Sequence, residues 1–125
     1  MNTKVHVSHG THIIGDLTGC NLDGIAAGED ELEHVRVIVS QAIQKYGLRE
    51  LGSYYHFFET DGITAVVALS ESHVSFHTWP ENNYVSMDVF VCHYSGDQSD
   101  AAKGLFETLA NWFQPADIKM QVLYR

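Results

Sequence analysis

The stretch ITAVVALS, residues 63–70, follows an Asp61-Gly62 turn signal and runs through apolar residues without the polar alternation of a half-exposed strand. A strand of that kind is stable only where both of its faces are covered. Its neighbours SYYHFFE at 53–59, HVSFHTW at 73–79 and YVSMDVFVC at 84–92 alternate or form short apolar runs, as adjoining antiparallel strands do. The chain must therefore build a sheet around an apolar interior strand and cover it twice.

Upstream, THIIGDL at 11–17 is apolar and β-branched enough for a first core strand, and TGCNLDG after it carries turn residues. Asp30 and Glu33 have the spacing of a capping box, after which Leu32, Val35, Ile38, Val39, Ala42, Ile43 and Tyr46 recur at helical spacing until Gly47. A second helix is expected over 98–113, burying Ala101, Ala102, Leu105, Leu109, Trp112 and Phe113, with Pro115 to end it and IKMQVLY as a closing strand. Strand, helix, three or four strands, helix, strand is the order of an α+β two-layer sandwich, an antiparallel sheet with two helices on one face. ITAVVALS then asks for a second cover, most simply another copy of the chain, which makes a homodimer with four layers, αββα.

At 125 residues and 45% hydrophobic, the chain suffices for a single domain over 1–125 with no linker. It has no apolar run of membrane-spanning length, and MNTKVHVSHG lacks the layout of a signal peptide, so a soluble cytoplasmic protein is expected. Seven basic against sixteen acidic residues, a formal charge of -9, work against a nucleic-acid partner and mildly favour a cationic small molecule. Cys20 and Cys92 have no CxxC spacing and read as free thiols. His6, His9 and His12 recur every third residue in a segment that reads as strand or tail, so no metal site is expected.

ESHVSFHTWPE at 71–81 is where chemistry concentrates. Taken singly, Ser70 and Ser72 merely close a strand, and His73 and His77 are ordinary structural histidines. Together with MDVFVC at 87–92 the segment resembles the signature of the bacterial and archaeal class of S-adenosylmethionine decarboxylase, ESH-x-[ST]-x-HTWPE followed by an aspartate-containing strand ending in cysteine. GTHIIGDLTGCN is similar to that family's N-terminal segment, and FETDGITAVVALSESH to its strand into the cleavage site, so matching segments run from Gly10 to Cys92.

The resemblance implies a chain that needs no external cofactor. It cuts its own backbone between Glu71 and Ser72, leaving 1–71 and 72–125, and Ser72 becomes a pyruvoyl group that carries the substrate as a Schiff base. It also implies that Thr64 assists the first stage of processing, that His77 is the processing acid/base, and that Cys92 is the proton donor in catalysis. Phe58 would stack on the adenine and Glu81 would accept from the ribose hydroxyls of S-adenosylmethionine. The product would be the aminopropyl donor for spermidine and other polyamines, and the family's protomers pair near their active sites.

The chemistry has an independent logic. Decarboxylation of an amino acid needs an electron sink on its amine, and pyridoxal phosphate would need a phosphate cradle and a lysine. Of the four lysines, Lys45 and Lys103 fall in expected helices and Lys119 faces out of the last strand, with Lys4 in the N-terminal segment. Ser72 and His77 have opposite parity along a regular strand, so their meeting demands a turn, a bulge or an approach to backbone. The family commonly has a Tyr-Gly-Tyr-type stretch and a glycine where this chain has Asn82-Asn83-Tyr84 and His93. Two alternatives follow: the same mechanism acting on ornithine or arginine, or a non-processing, non-catalytic homologue.

Overall fold

In the computed structural model, residues 9–25, 28–59, 62–94 and 96–125 are described, which leaves His6 and Asp61 outside. The elements are β1 (Gly10–Thr18), α1 (Glu29–Lys45), β2 (Glu50–Phe58), β3 (Gly62–Leu69), β4 (Ser72–Trp79), β5 (Tyr84–Cys92), α2 (Ser99–Trp112) and β6 (Asp117–Tyr124), with a 3-10 turn at Pro80–Asn82. One antiparallel sheet holds all six strands in the order β2-β3-β4-β5-β1-β6. Both helices pack on one face of it, so the α+β sandwich expected from the sequence is the fold found.

Period-two burial explains the packing face. Ile63, Ala65, Val67 and Leu69 of β3, Val74 and Phe76 of β4, and Val85, Met87, Val89 and Val91 of β5 point to the helices and are buried. Leu32, Val35, Val39, Ala42 and Ile43 of α1 and Ala102, Leu105, Phe106, Leu109 and Ala110 of α2 close over them. Phe76 meets Phe113 edge to face with ring centroids 5.3 Å apart, a favourable aromatic geometry. Gly104 faces the Tyr46 ring so closely that a Cβ would collide with it, and Tyr46 Oη lies 2.7 Å from Thr108 Oγ1, tying the two helices together.

The details differ from expectation at two places. Asp30 and Glu33 form no capping box: α1 begins at Glu29 after Gly28, without a side-chain cap, and Glu29, Asp30 and Glu31 instead place negative charge in its first turn, where the helix dipole favours it. Ala101 and Trp112 are only half-buried, while Phe106 and Ala110 complete the apolar stripe of α2. His12 lies in β1, in the strand expected over 11–17. Within a single chain, β3 is covered on its helix side alone: Val66 is 46% exposed on the opposite, open face.

Candidate active site

The β3–β4 hairpin is the tightest turn in the sheet. Leu69 pairs with Ser72, so only Ser70 and Glu71 connect the strands, and Ser72 emerges with φ 127°. A non-glycine residue held there stores strain on the order of 1–3 kcal/mol. Ser72 Oγ lies 3.3 Å from His73 Nδ1. The Glu71 carbonyl oxygen accepts a hydrogen bond from the backbone N–H of Cys92 at 2.8 Å. The peptide bond between Glu71 and Ser72 thus has a hydroxyl on one side and a fixed dipole on its oxygen.

From that point a polar cluster runs across the open face. His73 Nε2 lies 2.8 Å and His12 Nε2 2.9 Å from the same oxygen, Asp88 Oδ2, while Ser75 Oγ donates to Asp88 Oδ1. The register makes this inevitable: His73 pairs with Phe90 and Ser75 with Asp88 across β4–β5, and Ile14 pairs with Asp88 across β1–β5, which sets His12 diagonally next to it. Burial, the largest single influence, pushes the Asp88 carboxyl up, but the hydrogen bonds from Ser75, His12 and His73 outweigh it and hold Asp88 below its ordinary value. The two imidazoles and the carboxylate also have the mutual spacing of metal ligands, within 4.8 Å. Here the hydrogen bonds account for that spacing, and the Arg125 guanidinium 3.3 Å from His12 Nδ1 adds positive charge beside them.

A second group lies at the far end of β4. Thr64 and His77 are cross-strand partners, with Thr64 Oγ1 2.9 Å from His77 Nδ1. They share a 280 Å³ hollow with Phe58, Ile63, Thr78 and Trp79. Glu81 follows on the exposed 3-10 turn. A larger open trough of 760 Å³ crosses β1, β4, β5 and β6 between them, with Asp16, Ser75, His77, Asp88 and Lys119 among its walls. The sequence-derived residues therefore divide into two sets, Glu71, Ser72 and Cys92 at one end, Phe58, Thr64 and His77 at the other. Strand β4 is continuous from Ser72 to Trp79, so His77 stands about 17 Å along it from Ser72. The turn or bulge that would bring them together within one chain does not occur there.

Comparison with known proteins identifies the family. Residues 11–125 match the family model described as S-adenosylmethionine decarboxylase. The chain is 40% identical over 116 residues to an S-adenosylmethionine decarboxylase proenzyme of Archaeoglobus fulgidus, covering 93% of this chain and 96% of that one. It belongs to the S-adenosylmethionine decarboxylase family. A proenzyme of the same name from Persephonella marina is 43% identical over 83 residues, 66% of this chain and 59% of that one. The crystal structure of the adenosylmethionine decarboxylase from Aquifex aeolicus superposes with a TM-score of 0.80 at 31% identity, covering 94% of this chain and 91% of that one.

Two positions flanking the site, His93 and Asn83-Tyr84, have specific partners in the structure. His93 accepts the Gln98 backbone N–H at Nδ1, 3.0 Å, so its Nε2 carries the proton and faces Thr11 Oγ1 at 3.2 Å. It clamps the segment leading into α2. Asn83 takes a left-handed conformation, φ 50°, at the end of the 3-10 turn, and the next residue, Tyr84, donates to Asp16, a bond that pushes the Tyr84 phenol up to about 12. What sequence reasoning missed is the His12, His73, Ser75 and Asp88 cluster. Its members are scattered over three strands, and only parity hinted at it, through Asp88 on the mixed face of β5 and His73 in step with His77 on β4.

Proposed function

We propose that this chain is a self-processing proenzyme that cuts itself between Glu71 and Ser72 and, once processed, decarboxylates S-adenosylmethionine in the cytoplasm to the aminopropyl donor for spermidine. The observation that carries the reading is the environment of one peptide bond. Its carbonyl oxygen already accepts the Cys92 N–H, its serine hydroxyl has an imidazole beside it, and its serine holds a strained φ. These residues fit the formation of a pyruvoyl group at Ser72.

Ser72 Oγ attacks the Glu71 carbonyl carbon, and the charge that develops on the oxygen meets the Cys92 N–H, a preorganised donor. Breaking the C–N bond leaves Glu71 esterified to the Ser72 hydroxyl. Removal of the Ser72 α-proton then expels the Glu71 carboxylate, and water converts the remaining enamine to the ketone with loss of ammonia. His77 is the base for that elimination, and Thr64, hydrogen-bonded to it, assists the first stage through its hydroxyl. The pyruvoyl ketone supplies the electron sink for carboxyl loss. Cys92, at the end of β5 beside the cut, holds the proton that returns to the substrate carbon, Phe58 stacks on the adenine, and Glu81 accepts from the ribose.

The distance between Ser72 and His77 gives the homodimer a chemical purpose. Two copies stacked through their open faces about a two-fold axis cover Val66 and bring the Thr64–His77 pair of each toward the Ser72 of the other. Cutting does not separate the pieces, because 1–71 and 72–125 interleave in the sheet through the β3·β4, β1·β5 and β1·β6 ladders.

The test is CO2 release by the purified enzyme from S-adenosylmethionine, ornithine and arginine side by side. Release from S-adenosylmethionine is expected. Release from ornithine or arginine alone would move the substrate and keep the mechanism, and a chain that splits yet releases nothing from any of them would sink the enzymatic reading.

A further inference from the structure

We propose that His73 is the base that opens self-cleavage, its Nδ1 taking the Ser72 Oγ proton, with Asp88 as the positioning residue that fixes the ring and its tautomer. This rests on the self-cleavage reading above and assigns His77 to the later elimination only.

The argument begins with hydrogen-bond roles. An ionised carboxylate only accepts, so the 2.8 Å bond between His73 Nε2 and Asp88 Oδ2 puts the ring proton on Nε2. A neutral His73 then presents its lone pair at Nδ1, the atom 3.3 Å from Ser72 Oγ. Ser72, His73 and Asp88 thus stand in the order nucleophile, base, orienting acid, the arrangement that activates a serine in unrelated hydrolases. The separation is loose, as such contacts are before reaction, when they tighten on the way to the transition state.

Asp88 is itself immobilised. Ser75 donates to its other oxygen, and His12 donates to Oδ2 at 2.9 Å. The tautomer of His12 is fixed in turn, because Arg125 Nη1, which only donates, lies 3.3 Å from His12 Nδ1 and leaves the proton on Nε2. Three donors on one carboxylate are more than a structural strand pair requires. They hold the one acceptor that determines which nitrogen His73 turns to the serine. His77, hydrogen-bonded through Nδ1 to Thr64 further along β4, has no such contact with Ser72 in the same chain.

The step balances without a co-reactant. The Oγ proton moves to His73 Nδ1 as the Oγ–C bond to Glu71 forms, and the carbonyl electron pair shifts to the oxygen bonded by Cys92 N–H. The pair then returns, the C–N bond breaks, and the departing Ser72 nitrogen takes the proton back from Nδ1. His73 ends as it began, and the backbone amide has become an ester.

The experiment follows precursor splitting by intact mass in the wild type, His73→Ala, His73→Gln, Asp88→Asn and His77→Ala. Loss of His73 is expected to slow splitting about 10²–10⁴-fold. Added imidazole should restore part of the rate in His73→Ala and none in His73→Gln, whose side chain still fills the site. Hydroxylamine, which cleaves esters and spares amides, should split the His77→Ala precursor and leave the His73→Ala precursor whole. In the non-reacting Ser72→Ala chain, ring 15N shifts should report the Nε2–H tautomer of His73, and Asp88→Asn should shift that balance while slowing splitting. A His73→Ala chain that splits at the wild-type rate, that stays slow with imidazole, or that accumulates ester overturns the proposal, as does an Nδ1–H tautomer. A wild type that never splits would sink the self-cleavage reading instead.

Discussion

The two faces of one sheet are built from alternate residues of the same strands, yet they obey different rules. Toward the helices, Val74 and Phe76 of β4 are fully buried in a continuous apolar core. Toward the open side, His73, Ser75 and His77 of the same strand engage in hydrogen bonds to Ser72, Asp88 and Thr64. The first face is close-packed and carries the core; the second is polar and half-exposed, and carries the groups assigned above to the proposed reaction. Neighbouring residues can thus be changed with opposite consequences.

The largest effect is expected at the serine: Ser72→Ala should abolish both splitting and CO2 release, with thermal unfolding near that of unprocessed wild type. His77→Ala comes next, slowing processing about 10²–10⁴-fold while costing little stability, since it faces the trough. Phe76→Ala is the mirror experiment. It should cost about 3–5 kcal/mol in denaturant unfolding by leaving a cavity against Phe113, without removing any group of the site. Val66→Glu should change single-chain stability by no more than about 0.5 kcal/mol, yet sedimentation should show monomers and splitting should fail. A Val66→Glu dimer that processes normally would break the division between the faces.

The smallest effect lies in acid. The folded state holds Asp88 below the ordinary carboxylate value, so its contribution to stability is complete above that ordinary value and is lost as pH falls through the lower, folded one. Stability curves of the Ser72→Ala chain and of its Asp88→Asn derivative should therefore converge below about pH 4. Curves that stay parallel through that range would remove Asp88 from the charged cluster.

Much of the architecture was legible because it depends on periodicity. The apolar alternation of YVSMDVFVC, the stripe from Leu32 to Ile43 and the turn glycine Gly47, with φ 72°, each translate directly into local structure. The capping box was misread because Asp30 lies one residue inside the helix, where it serves the dipole rather than the cap. The site was legible only in part. Ser72, Glu71 and Cys92 meet because a two-residue turn precedes β4, and Thr64 meets His77 because they are cross-strand partners. The convergence of His12 and His73 on Asp88 depends on the registers of β1–β5 and β4–β5, which no single strand encodes.

The most direct test is the intact mass of the purified wild-type protein under denaturing conditions. Two species are expected, 1–71 ending in the Glu71 carboxylate and 72–125 beginning with a pyruvoyl group in place of Ser72, eluting together when native. A single full-length chain with serine intact at 72 after prolonged incubation would contradict the self-cleavage at the centre of this mechanism.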